Sequence, residues 1–96
     1  MANEDLIKKC ELQNFNFDND LMTTCSNVLS TAEEHKEKLG LKDEEVQTFL
    51  QMTENLKPED VSEALKLALK IRENGDIKDT EVQTAASKLI RAIEMG

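Results

Sequence analysis

Tyrosine and tryptophan are missing from this 96-residue sequence, and Phe15, Phe17 and Phe49 are its only aromatic residues. It has one proline, three glycines, two cysteines and one histidine. So little turn-forming material and so few β-favouring side chains argue against a sheet of many short strands. The two cysteines, Cys10 and Cys25, do not make a disulfide scaffold, and their spacing is not that of a CxxC pair. No apolar stretch comes near the roughly 20 residues that a membrane-spanning helix needs. The first residues, MANEDLIKK, carry no apolar signal core. A cytoplasmic location without membrane contact is therefore expected. Basic residues are also in deficit, twelve against twenty acidic ones, for a formal net charge of −8. Residues 1–48 hold eleven acids and five bases, residues 49–96 nine and seven, so the first half carries most of the excess. Such a field repels phosphate backbones and anionic headgroups, which speaks against direct nucleic-acid binding.

Reactive constellations are scarce as well. No Gly-rich phosphate loop and no serine-centred nucleophile motif occurs. His35 lies three residues past Ala32, at the edge of an apolar stripe, where a satisfied boundary residue is expected. A catalytic histidine needs an orienting partner, and no sequence pattern supplies one. Zinc needs three or four ligands, and one histidine with two dispersed cysteines falls short unless carboxylates or a second chain contribute. Residues 74–81, NGDIKDTE, resemble the second half of an EF-hand calcium loop, with Gly75 at its turn and Glu81 at its bidentate end. Lys70 and Arg72 would then take the first and third ligand positions, where the ion requires oxygen. A glycine stop followed by an acidic helix start accounts for the same residues. No enzyme activity, no metal and no cofactor is expected.

What the chain does have is helix punctuation. Leu41-Lys-Asp-Glu-Glu-Val46, Leu56-Lys-Pro-Glu-Asp-Val61 and Ile77-Lys-Asp-Thr-Glu-Val82 share one pattern. Each sets an apolar residue before a lysine, an acidic first turn after it, and a valine five positions on. With the lysine at the cap position, or one residue from it, the apolar pair forms a hydrophobic staple. The acids complement the helix dipole, and Pro58 falls at the first helical position, which tolerates it. Asp18 and Asn3 are candidate caps for two earlier helices, and Gly40 and Gly75 read as left-handed helix stops. These signals predict helices near residues 4–12, 19–38, 43–55, 58–73 and 79–94.

Apolar residues recur at helical spacing in each segment. Leu21, Cys25, Val28, Leu29, Ala32 and Leu39 mark the second, and Val46, Phe49, Leu50 and Thr53 the third. Val61, Ala64, Leu65, Ala68 and Ile71 form a stripe that Leu67 and Leu69 widen, which makes the fourth helix the central one. The same breadth argues against using its Lys66, Lys70 and Arg72 to read DNA. Val82, Ala85, Ala86, Leu89, Ile90 and Ile93 line the fifth. The first has only Leu6, Ile7, Cys10 and Leu12. Residues 41–48 and 77–84 agree at six positions plus a Leu/Ile exchange, 36 residues apart. The expectation is a single all-α domain over residues 1–96. It is a compact bundle of four or five short helices built as two related helix-turn-helix units, with residues 1–17 as a loosely attached arm.

Two features can carry an interaction. Phe15 and Phe17 alternate with asparagines in a linker, and aromatic residues are enriched at interface hot spots. Glu33, Glu34, Glu37, Asp43, Glu44 and Glu45 cluster around the Gly40 turn, with Lys36, Lys38 and Lys42 among them. The expected function is a non-catalytic protein–protein interaction module, such as a small adaptor, inhibitor or regulatory subunit, whose partner is another protein with a basic surface. The alternatives are an acidic nucleic-acid mimic that inhibits a basic protein, and a structural homo-oligomer.

Overall fold

The computed structural model describes residues 3–95, which form an all-α bundle with no strand among the described residues. Its helices are α1 (Asn3–Glu11), α2 (Asn19–Glu34), α3 (Lys36–Leu39), α4 (Asp43–Glu54), α5 (Val61–Glu73) and α6 (Thr80–Met95). A single 3-10 turn, Pro58–Asp60, leads into α5.

The starts follow the chemistry of the caps. Asp18 is extended, and its carboxylate accepts the Leu21 N–H at 2.9 Å to open α2. Lys42 and Lys57 occupy cap positions although a lysine side chain has no acceptor. Each instead donates its own backbone N–H, to Glu45 at 3.2 Å and to Asp60 at 3.0 Å. At α6 the cap is Asp79, one residue beyond Lys78, and it accepts the Glu81 N–H at 3.0 Å. Asn3 differs from expectation: it lies inside α1, and its amide donates to Glu73 at 2.8 Å.

The stops are less uniform. Gly40 is left-handed at φ 67°. Its N–H reaches the Glu37 carbonyl at 3.3 Å and Leu41 N–H the Lys36 carbonyl at 2.9 Å, a complete Schellman motif. The same pair of bonds ends α1, from Gln13 to Cys10 and from Asn14 to Lys9, with Gln13 in the left-handed position at φ 55°. Gly75 is not left-handed. Asn74 ends α5 instead: its side chain accepts the Asp76 N–H at 2.9 Å and donates to the Lys38 carbonyl at 2.6 Å. The predicted helix over 19–38 divides at His35. The last turn of α2 has no base and holds Glu33 and Glu34, set against the negative end of the helix dipole, with Glu37 one turn on.

One apolar cluster draws residues from every helix. α5 buries Val61, Ala64, Leu65, Leu67, Ala68, Leu69 and Ile71 and packs against α1, α2 and α6, as its wide stripe requires. α2 lies between α4 on one side and α5 with α6 on the other. α1 packs on α5 and α6 through Leu6 and Cys10, both 1% exposed, whereas Leu12 falls past the helix end and is 70% exposed. The two expected helix-turn-helix units correspond to the pairs α2–α4 and α5–α6. They are used unequally, because α6 also packs on α1 and α2 while α4 rests mainly on α2.

Candidate functional site

The two groups of predicted partner residues lie at opposite ends of α2. Phe15 and Phe17 precede its N-terminus, and the acidic residues begin at its C-terminus. At 1.5 Å rise per residue, Asp18 and Glu33 are about 22 Å apart. The two rings meet edge to face, with centroids 6.5 Å apart and planes at 66°. Both are half-buried and pack against the edge of the core, between exposed Asn14 and Asn16. They form a partial lid over the core.

The acidic end is built from both inter-helix turns. The Asn74 amide and Lys38 carbonyl hold the two turns together, and the Lys38 ammonium donates to the Asp76 carbonyl at 3.2 Å. Lys36 pairs with Asp43 at 2.8 Å. That contact holds the Asp43 carboxyl below its ordinary value. The same bond, with the charges of Asp43, Glu37 and Glu33 around it, raises the Lys36 ammonium above its own. Lys36 and Lys38 are thus engaged locally, whereas the exposed Lys42 ammonium has no hydrogen bond or salt bridge among the described residues. Glu33, Glu34, Glu37 and Glu44 stay exposed, and among the described residues no lysine or arginine forms a salt bridge with them.

One arrangement at this end lies beyond the reach of the sequence pattern. His35 sits at the α2–α3 break with its side chain 14% exposed. Its Nε2 is buried and, among the described residues, without a hydrogen-bond partner, so the expectation of a satisfied boundary histidine is corrected. A buried polar atom left this way costs on the order of 1–3 kcal/mol. Glu34 Oε2 is 3.9 Å from it, and donor atoms of Glu34, His35 and Asp79 all lie within 4.8 Å of one another. Asp79 enters from the start of α6, 44 positions after His35 in the sequence. The repeat offers the one available hint, because Asp79 is the counterpart of Asp43. Both aspartates open their helices and both reach the α2–α3 junction, one at Lys36 and the other at Glu34 and His35.

Two other features are occupied by structure. Residues 70–73 of the calcium-loop resemblance remain inside α5, and the Asn74 side chain is spent on Lys38 and Asp76. Cys10 and Cys25 are buried and free. Burial pushes the Cys25 thiol up to about 12, with the neighbouring Cys10 adding to the effect. Burial also raises Cys10, to about 11, against the charge of Lys9. Both thiols are therefore protonated near neutral pH and poor nucleophiles. Among the described residues, no helix is long and apolar enough to cross a membrane.

The architecture places the chain among small all-α bundles. No family model, curated protein or solved structure matches it.

Proposed function

We propose that this chain is a non-catalytic protein-binding module that docks on a basic protein surface through the acidic end of its bundle. The observation that carries the reading is the disposition of charge there. Lys36 and Lys38 are engaged by Asp43 and by the Asp76 carbonyl, while Glu33, Glu34, Glu37 and Glu44 project without a basic partner. Carboxylates exposed around a turn in this way attract a cationic surface over about a Debye length, roughly 8 Å at physiological salt. They contribute chiefly to encounter rate and specificity.

The test is affinity capture from nuclease-treated lysate with three baits, washed at low and high salt and read by mass spectrometry. The baits are the unaltered chain, the triple variant Glu33→Lys/Glu37→Lys/Glu44→Lys, and the double variant Phe15→Ser/Phe17→Ser. A stoichiometric basic protein lost from the charge-reversed bait and kept by the Phe variant supports the acidic end. Loss with the Phe variant alone, at unchanged melting temperature, moves the contact to the aromatic lid. Recovery of the bait alone refutes the proposal.

A further inference from the structure

We infer that Glu34, His35 and Asp79 form a binding site for a zinc-class divalent cation that ties the α2–α3 break to the start of α6. The site shares Glu34 with the acidic end but does not depend on the docking proposal. Three observations converge on it.

First, the imidazole is positioned and unused. His35 is fixed in the break by its backbone N–H to the Thr31 carbonyl and by its own carbonyl, which accepts the Leu39 N–H. Its Nε2 is buried with no hydrogen-bond partner among the described residues, 3.9 Å from Glu34 Oε2, and the imidazole offers a nitrogen within 4.8 Å of carboxylate oxygens of both Glu34 and Asp79. Buried polar atoms almost always have a partner, so an orphan beside two anionic donors marks a missing ligand.

Second, the donors are close enough for an ion to gather. A tetrahedral zinc with bonds of roughly 2.0–2.2 Å holds its ligand atoms about 3.4 Å apart. The three donor atoms here lie within 4.8 Å, and Glu34 is exposed and free to rotate inward. Asp79 is already oriented, because its Oδ1 accepts the Glu81 N–H and its backbone carbonyl accepts the Gln83 N–H. Its Oδ2 is left for the ion. Hydrogen bonds that fix a ligating carboxylate in this way are a regular part of metal sites.

Third, the carboxylates are uncompensated by lysine or arginine and are accessible. Among the described residues, no lysine or arginine forms a salt bridge with Glu34 or Asp79. Both line an open cleft between α2 and α6 of about 380 Å³, which Asn27, Ser30, Thr31 and Val82 also border. His35 is not among the residues that border it, so an ion entering there with its water meets the two carboxylates first, and that water completes the coordination. One imidazole nitrogen with two carboxylates suits zinc or its transition-metal neighbours, whereas calcium and magnesium select all-oxygen sites.

The experiment is calorimetric titration of zinc chloride into the intact chain in a non-chelating buffer, with thermal melts at each concentration. Binding at one ion per chain and a melting temperature that rises with the logarithm of zinc concentration are expected. Magnesium or calcium at the same concentrations should leave the melt unchanged. Asp79→Asn keeps the helix cap, since asparagine caps as well as aspartate. It should nevertheless weaken zinc binding at least tenfold, as should His35→Ala. Cobalt should give a spectrum without the charge-transfer band of thiolate ligation. Absence of heat and of any melting shift at millimolar zinc overturns the inference. Zinc binding that survives both variants, or that shows the thiolate band, also overturns it by placing the ion elsewhere. The docking variants retain Glu34, His35 and Asp79, so the two proposals fail separately.

Discussion

Replacing Gly40 and Gly75 by alanine, one at a time, isolates backbone conformation from every other contribution. A Cβ built at either position meets nothing within 4 Å, so neither variant introduces a clash. Both glycines are exposed, and neither substitution buries new apolar surface. The unfolded-state term is shared as well: alanine restricts the denatured chain and by itself favours folding by roughly 0.4–1 kcal/mol. The difference lies in φ. Gly40 sits at 67°, where a side chain costs about 1–2 kcal/mol, whereas Gly75 does not adopt a positive φ. Gly40→Ala should therefore destabilise by about 0.5–1 kcal/mol, and Gly75→Ala should stabilise by about 0.4–1 kcal/mol. For a domain of this size about 1 kcal/mol moves the melting temperature by roughly 4–8 °C, so the two variants should separate by on the order of 10 °C. Thermal unfolding followed by circular dichroism at equal protein concentration reads the gap directly. Melting shifts of the same sign would refute the assignment of Asn74, rather than a left-handed Gly75, as the stop of α5.

The α1 stop allows the reverse change. Gln13→Gly removes the strain at φ 55° and should raise stability by about 0.5–1 kcal/mol after the cost of a freer denatured chain, measured by urea unfolding. The cysteines supply a pH signature. Both folded-state thiol pKa values lie above the ordinary value of about 9, at about 11 and about 12, so the folded chain holds these protons longer than the unfolded one. Their contribution is fully present below pH 9 and is lost as pH rises towards 11–12. Stability should fall over that interval, and Cys25→Ala should reduce the slope; an unchanged slope assigns the alkaline loss to other groups. Alkylation at pH 8 should remain slow until the chain unfolds.

Most helix boundaries were readable because they rest on local chemistry. Asp18, the Leu41/Val46 and Leu56/Val61 pairs and Gly40 each act within six residues, and such signals survive whatever the tertiary context. The breadth of the α5 stripe likewise announced its central place. The misread positions are those where a distant partner decides. Asn3 gave up capping for Glu73, 70 residues away. Asn74 took over the role assigned to Gly75 because Lys38, 36 residues earlier, presents it a carbonyl. Leu12 follows the apolar spacing of α1, but the Schellman turn at Gln13 carries it out of register with the core. Of the candidate site, the acidic residues were legible as a local cluster. The convergence of Asp79 on Glu34 and His35 was not, because it depends on how one helix pair packs against the other.

The marginal attachment of α4 has a dynamic consequence. Of its own residues only Val46 and Phe49 are buried, and α2 is its main support. Opening α4 uncovers fewer buried residues than separating α5 from α6, so α4 should open locally at lower cost than that pair. Asp43 and Glu44 lie in its first turn, and Asp43 holds Lys36. When α4 detaches, Lys36 is released among Glu33 and Glu37, and the acidic end loses both its shape and part of its charge excess. If the acidic end docks as proposed, docking and the attachment of α4 are coupled, and a partner bound at that end would slow amide exchange along a helix most of whose length it never touches.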